Sequence, residues 1–555
     1  MKCKLQKLSS SGFYPVLIFL LIFLSGCRSS SKRTEDPLFN KALENGYLAN
    51  EGYQRCIDFM EDWLKFADPE TGLIPRNLDS SIDVWDPKDS AADNYPFMVL
   101  TAAIINNELF EGPMYDILVA EQKYTNRLGR LPDRYSFSKR DFTIEEPDTD
   151  RIIFGAAEYV KDGLLALTEY LGHSPWSDRM IDIVDDIWEY APYDTPYGKI
   201  PSLNVEVNGE LLQTLSRLYW MTGNEKYLEQ AVRIGDYYLL GNQHPTRDMD
   251  LIRLRDHGCE IVSGLCEIYV TVAFANHDKK AEYQEHIYEM LDRILEVGTN
   301  EDGLFYNQVN PLTGEILDDG IADTWGYTYN AYYSVYMLDN HEPYRDALLK
   351  VFTNLYNYVN YDWERGSADG YADAVESALN LYNREPSPDV AGWIDSEIQV
   401  MWSMQDSAQR EGLEKWQDRG VIEGWHGDGN FARTTIMYCL WKTQGITISP
   451  WGNSMIYGAE RDKDVIRIAM HAGENWSGKM HFDHPRHMDI FNLPMDYPRI
   501  NQFPEWFTAE RERKYTITNL NNEETFEYTG WQLIDGIRLE VDSGDTTYLE
   551  LKPKW

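Results

Sequence analysis

The sequence predicts a mainly α protein: a closed ring of helical hairpins followed by a small β-sandwich. Three observations carry that expectation. Apolar residues recur with helical spacing from residue 50 to about 443, as in Tyr227, Ala231, Ile234 and Tyr238 on one helix face. A turn motif repeats between the helices, as Gly72-Leu-Ile-Pro75, Gly129-Arg-Leu-Pro132, Gly198-Lys-Ile-Pro201 and Gly303-Leu-Phe-Tyr306. Past Ile446 the period drops to two, in Asp464–Met470, Lys514–Thr518, Glu524–Tyr528 and Gly536–Val541, with Ser543-Gly544 turning the last of these into Thr547–Leu551 as a hairpin.

The chain has 555 residues, of which 43% are hydrophobic and 13% aromatic, enough for a large core. Its net charge of −40 excludes nucleic acid as a partner and means that an acidic substrate needs a local basic pocket. At the N-terminus, Lys2, Lys4 and Lys7 precede the apolar run Val16–Leu24, which is too short for a comfortable membrane span. Leu24-Ser-Gly-Cys27 then has the pattern of a bacterial lipobox. Residues 1–27 are therefore expected to be a lipoprotein signal peptide with Cys27 lipidated, which implies a lipid-tethered envelope protein of a Gram-negative bacterium. Residues 28–45 read as a solvated linker, 46–445 as the catalytic ring and 446–555 as the β-domain. With no C-x-x-C and no H-E-x-x-H, no metal or cofactor is expected, and Cys56, Cys259, Cys266 and Cys439 are expected to be buried free thiols.

Short turns such as Thr222-Gly-Asn224 alternate with long polar loops that follow the Gly-x-Ile-Pro motif. That alternation favours a ring over an open solenoid, and six hairpins, or seven, fit the length. The motif is absent where a copy falls due, at Leu251-Ile-Arg-Leu-Arg-Asp-His257-Gly-Cys-Glu260. A scaffold hosts function where it departs from its own pattern, so this stretch is the expected wall of an active site. The segment 491–506, rich in proline and aromatics, reads as packing between domains.

If the ring closes, the starts of its inner helices meet around one cavity. They carry Asp93 and Tyr95; Glu158; Glu206 and Glu210; Arg253, Arg255, His257 and Glu260; Asp323, Trp325, Tyr327 and Tyr329; Asp373; and Trp425, His426, Asp428 and Arg433. Aromatic rings that stack on sugar faces, mixed with hydrogen-bonding carboxylates, are what a carbohydrate cleft requires. Asp93, Asp323 and Asp373 are equally suited to helix capping. Two chemistries compete. Inverting hydrolysis needs an acid and a base carboxyl across the sugar, and Asp93, Glu206, Asp323, Asp373 and Asp428 supply candidates. β-Elimination at a uronic acid needs a base for the C5 proton, an acid for the group leaving C4, and positive charge on the carboxylate. His257, Tyr327 and His426 suit the proton transfers, and Arg253 with Arg255 suits a carboxylate clamp. This constellation places elimination first, with Glu260, Asp93, Tyr95, Glu206, Asp323, Trp325, Tyr329, Asp373 and Trp425 as substrate-binding residues. A glycan-binding surface lipoprotein without catalysis is the non-enzymatic alternative.

On the Gly-x-Ile-Pro copies and the helical pattern, residues 50–443 resemble the (α/α)6-type toroid of six-hairpin glycosidases and polysaccharide lyases. A lipid-anchored toroid with a β-domain and an Arg-His entrance is similar to the dehydratases that act on ulvan oligosaccharides in marine flavobacteria. That resemblance implies dehydration of a terminal uronic acid to a 4,5-unsaturated product. The chain also resembles the β-L-arabinofuranosidase type of toroid, but lacks the cysteine cluster of its zinc site.

Overall fold

The computed structural model describes residues 36–406 and 420–554. The signal peptide, the lipobox and Cys27 lie outside the described residues. Helix α1 (Pro37–Leu64) begins with Asp36 accepting from the Leu38 amide and Pro37 in the first turn, a combination that starts a helix firmly. It occupies the second half of the expected linker.

Helices then alternate between an inner and an outer layer: α2 (Tyr95–Ile105), α3 (Tyr115–Thr125), α4 (Thr149–Glu158), α5 (Pro175–Glu189), α6 (Val205–Thr222), α7 (Glu225–Leu239), α8 (Glu260–Ala275), α9 (His277–Gly298), α10 (Trp325–Asp339), α11 (Glu342–Asn354), α12 (Ala368–Tyr382), α13 (Pro388–Asp406) and α14 (Gly429–Lys442). The even-numbered helices are the inner ones. Neighbouring inner helices pack side by side around the ring, and α14 returns to α2 to close it. Among the described residues, seven inner helices make one hairpin more than in a six-hairpin toroid. Their burial explains their composition: α8 and α10 are buried nearly all round, whereas the outer α7 buries only the Tyr227, Ala231, Ile234 and Tyr238 face.

The repeated turn has a backbone cause. Gly72, Gly129, Gly198 and Gly303 all adopt positive φ, between 57° and 107°, where a side chain would be strained. At Leu251–Leu254 no such glycine is present. Instead Ile252–Arg253 pairs as a short strand with Tyr306–Asn310 from the next long loop, so the departure from the motif is also a change of structure.

The C-terminal region holds eight strands: β1 (Thr447–Ser449), β2 (Met455–Asp462), β3 (Val465–Ala472), β4 (Trp476–His481), β5 (Lys514–Asn519), β6 (Glu524–Thr529), β7 (Ile537–Val541) and β8 (Thr546–Pro553). They form a five-stranded sheet, β2-β3-β8-β5-β6, and a three-stranded sheet, β1-β4-β7. The hairpin expected at Ser543-Gly544 does not exist. β7 pairs with β4 and β8 with β3 and β5, so the turn carries the chain from one sheet to the other. Alternation alone reads strands but not partners. Buried residues of both sheets share one apolar cluster with Ala49 and Tyr53 of α1, which lies against β2 and β3. The first helix thus ties the β-region to the ring.

The segment 491–506 does more than pack between domains. It plugs one end of the ring: Arg217 of α6 donates to the Ile500 carbonyl, Ser334 of α10 to the Pro498 carbonyl, and Asn380 of α12 to the Arg499 carbonyl.

Candidate active site

At the other end, the starts of the inner helices converge on a cavity lined by carboxylates and cations. Asp93, Lys161, Asp162, Asp256, His257, Glu260, Thr324, Tyr327, Asp369, Asp373, Asn430 and Arg433 face it. Two wider chambers, of about 290 and 270 Å³, adjoin it and share Arg255, Glu364 and Arg365. Three non-glycine residues at these openings, Asp256, Glu364 and Arg365, have φ of 49°, 43° and 63°. Such strain persists only where the surrounding structure imposes it, and it clusters at functional sites.

His257 stands on a one-turn 3-10 segment, Asp256–Cys259, that leads into α8. Its Nε2 is 3.4 Å from Asp256 and 3.8 Å from Glu158, and its Nδ1 is 3.7 Å from Asp162. Burial opposes charge on the ring, but these three carboxylates outweigh it and hold the imidazolium well above the ordinary histidine range. Asp256 is half-buried, and His257 and Arg253 draw its pKa down to about 2. With no ion bound, the proton on its ring makes His257 better suited to giving a proton or stabilising negative charge than to abstracting a proton.

Tyr327, from the first turn of α10, lies at the heart of the cavity. Its Oη is 2.7 Å from Glu376 and 3.0 Å from Asp373, and it accepts from Arg433 at 3.0 Å. Arg433 also donates to Asp373 at 2.6 Å and pairs with Glu376 at 2.8 Å. Burial pushes Asp373 up to about 7 against the pull of Arg433. Asp93 and Asp323 are raised well above the carboxylate range, again chiefly by burial and then by neighbouring carboxylates. None of the three caps a helix: Ser367 caps α12, Asp93 lies within a π-helical turn before α2, and Asp323 accepts from the Thr324 amide beside it.

Other expected site residues are placed differently. Arg255 reaches both chambers and makes no ion pair among the described residues, whereas Arg253 is held by Asp256. Glu260 faces the cavity but is fully engaged by Lys161 and Gln213. Trp425 is 54% exposed at the edge of one chamber, its ring against that of His426. His426 is not in the central cavity. It pairs with Glu423 at 3.1 Å, which, against burial, raises its pKa to about 10. Tyr95, Trp325 and Tyr329 are not site residues. Tyr95 donates to the Met114 carbonyl and accepts from Trp176, Tyr329 donates to the Gly303 carbonyl, and Trp325 packs edge-on against Trp393. Each points from the inner layer into the packing between layers. Asp428 holds its own loop by accepting from Trp63 and from the Ile422 and Glu423 amides. Glu206 sits beside Glu158, Glu210 and His257.

The sequence reading missed Lys161, Glu364, Arg365 and Asn501. Lys161 lies in a π-helical stretch, Tyr159–Leu165, that follows α4 and shifts the helical phase. Asn501 comes from the plugging segment, donates to Asp162 at 3.0 Å and accepts from Arg433 at 3.2 Å. No local motif marks it. The positive-φ pair Glu364–Arg365 carries no sequence signal except Gly366 beside it.

No protein-family model and no curated protein matches the chain. Solved structures do resemble it. The α-1,6-mannanase of family 76 from Salegentibacter sp. HEL1_6 is 10% identical over 70% of this chain and 98% of its own, with a TM-score of 0.39. A family 76 mannosidase of Bacteroides thetaiotaomicron is 12% identical over 70% of this chain and 98% of its own, also at 0.39. The unsaturated glucuronyl hydrolase of Bacillus sp. GL1 is 12% identical over 54% of this chain and 88% of its own, at 0.37. Likeness at that distance says nothing of reaction or substrate.

Proposed function

We propose that the protein is a carbohydrate-active enzyme that cleaves or dehydrates an acidic oligosaccharide by β-elimination at a uronic acid. The observation that carries this reading is Arg255. In a chain of net charge −40, its guanidinium makes no ion pair among the described residues where the two chambers meet, and Arg365 lines both chambers with it. A planar fork of donors in that place suits a carboxylate. Trp425 at the edge offers a face for a sugar ring.

In this mechanism Asp373 takes the C5 proton, since a carboxylate that titrates near neutrality is a competent base. The C5–H electrons form the C4=C5 bond as the C4–O bond breaks. Tyr327 gives its phenolic proton to the departing oxygen and recovers one from Asp373, 3.0 Å away. The cationic groups of Arg433, Lys161 and His257 neutralise the charge that develops on the uronate. The products are an unsaturated uronate and either water or a shortened glycan. Inverting hydrolysis is the second reading, favoured by Asp93 and Asp369, whose carboxyls face the same cavity and are both raised by burial. The lipobox-like Leu24–Cys27 supports an envelope location.

Incubation with uronate oligosaccharides tests the reading. Absorbance growing at about 235 nm, with loss of one water or one glycosidic bond by mass, is the expected outcome. New reducing ends without that chromophore would establish hydrolysis instead.

A further inference from the structure

Against the sequence expectation of no metal, we infer that Glu158, Glu206, Glu210 and His257 form a binding site for one divalent transition-metal ion, of the Mn²⁺ or Zn²⁺ kind, in the wall of the cavity. The four side chains come from three separate elements, yet their ligand atoms all lie within 4.8 Å of one another. Glu206 and Glu210 are one turn apart on α6 and share a face. Glu158 is the last residue of α4 before the helix widens into its π-helical stretch, a distortion that recurs at functional sites. His257 arrives from the strained turn at Asp256, and an ion bound here displaces the proton that the neighbouring carboxylates otherwise hold on its ring. Gly209 makes the meeting possible: a side chain there would sit 2.4 Å from the Glu260 backbone, so only glycine lets α6 close against the start of α8.

The second observation is what these carboxylates lack. Glu210 is completely buried, and neither of its oxygens accepts a hydrogen bond from the described residues. Glu158 is 1% exposed, and its Oε2 is likewise without a donor, while Oε1 accepts from Lys88 at 2.6 Å. Buried carboxylate oxygens without donors are costly, and a metal ion is one of the few things that satisfies them. Lys88 holds one oxygen of Glu158 and leaves the other free to ligate. Three carboxylates and one imidazole match the borderline preferences of Mn²⁺ and Zn²⁺, whereas Ca²⁺ takes about six to eight oxygens. Glu206 and His257 are only partly buried, which opens the site to the cavity and provides an entry path. The inference does not depend on the proposed reaction.

The test uses the full chain, stripped with a chelator and titrated with MnCl₂ while the electron paramagnetic resonance signal of free Mn²⁺ is followed. One ion per chain is expected to disappear from the free signal, with nitrogen coupling from His257 in the bound spectrum that His257→Ala abolishes. Glu210→Gln and Glu206→Gln should each weaken binding about ten- to a hundredfold. Because Glu206 is at the edge of the site, its variant decides the matter even if Glu210→Gln fails to fold. The proposal is overturned if the native chain leaves Mn²⁺ and Zn²⁺ free, or if Glu206→Gln binds as tightly as the native chain.

Discussion

The two ends of the ring treat buried charge in opposite ways. At the plugged end every arginine meets its carboxylate: Arg217 pairs with Glu267 at 2.6 Å and Glu169 at 3.2 Å, and Arg499 grips Glu169 through two bonds of 2.7 Å. At the open end carboxylates lack donors: among the described residues Glu210 has none, Asp93 and Asp323 are pushed well above the carboxylate range by burial and by other carboxylates nearby, and Arg255 has no paired anion. Paired charges fix the geometry of a fold, and unpaired ones are kept only where a ligand or a reaction uses them. On the proposed function, the plugged end is scaffold and the open end is site.

That contrast can be broken by mutation. The largest effect is expected for Asp373→Asn, a fall of about 10²–10⁴-fold in kcat with no loss of stability, read by steady-state kinetics and thermal unfolding. The native enzyme should gain activity as pH rises through about 7, where Asp373 ionises. The sign for stability is the reverse: with its folded pKa raised above the carboxylate value of 3.8, Asp373 contributes stability at low pH that is lost as pH climbs through about 7. Next comes Glu169→Ala at the plugged end, which removes both short bonds of buried Arg499 and one of the two partners of Arg217, and should cost about 3–5 kcal/mol in urea unfolding. Equal loss of stability from both variants would erase the distinction between the ends.

Arg255→Ala should raise KM for a uronate substrate by about 10- to 100-fold, since a hydrogen bond to a charged group contributes about 1.5–3 kcal/mol. A neutral glycan should not notice the change. His426→Gln should cost about 1 kcal/mol near neutral pH. The native His426–Glu423 pair, with the histidine raised to about 10, contributes stability that is complete below about pH 6.5 and lost as pH rises through about 10. A variant whose stability profile over that window matches the native one would remove His426 from the account. Trp425→Ala is the mildest, with a KM increase of a few-fold to about tenfold if a sugar stacks on the ring.

Much of the architecture was legible because it is written in local chemistry. Glycines forced to positive φ marked the long loops, and helical periodicity marked the hairpins. The entrance residues were legible as a group, since polar and titratable side chains collected there. Their individual directions were not. Tyr95, Trp325 and Tyr329 share the entrances with Asp93 and Tyr327, but helical phase turns the first three into the core and the other two into the cavity. The π-helical stretch after Glu158 moves that phase again, which is how Lys161 enters the site unannounced. The β-strands were readable for the same local reason, and their partners were not, since β7 and β8 are adjacent in sequence and part into different sheets.

The sequence by itself determined that the chain forms helical hairpins, where its long loops begin, and that Leu251–Glu260 departs from the pattern. Those features depend on neighbours a few residues apart, so propensity and backbone sterics suffice to specify them. Only the tertiary structure decided that three carboxylates surround His257 and raise its pKa, that burial pushes Asp373 up to about 7, and that Asn501 reaches Asp162 from 339 residues along the chain. Each depends on which charges and dipoles burial brings together, and that is settled by closure of the ring.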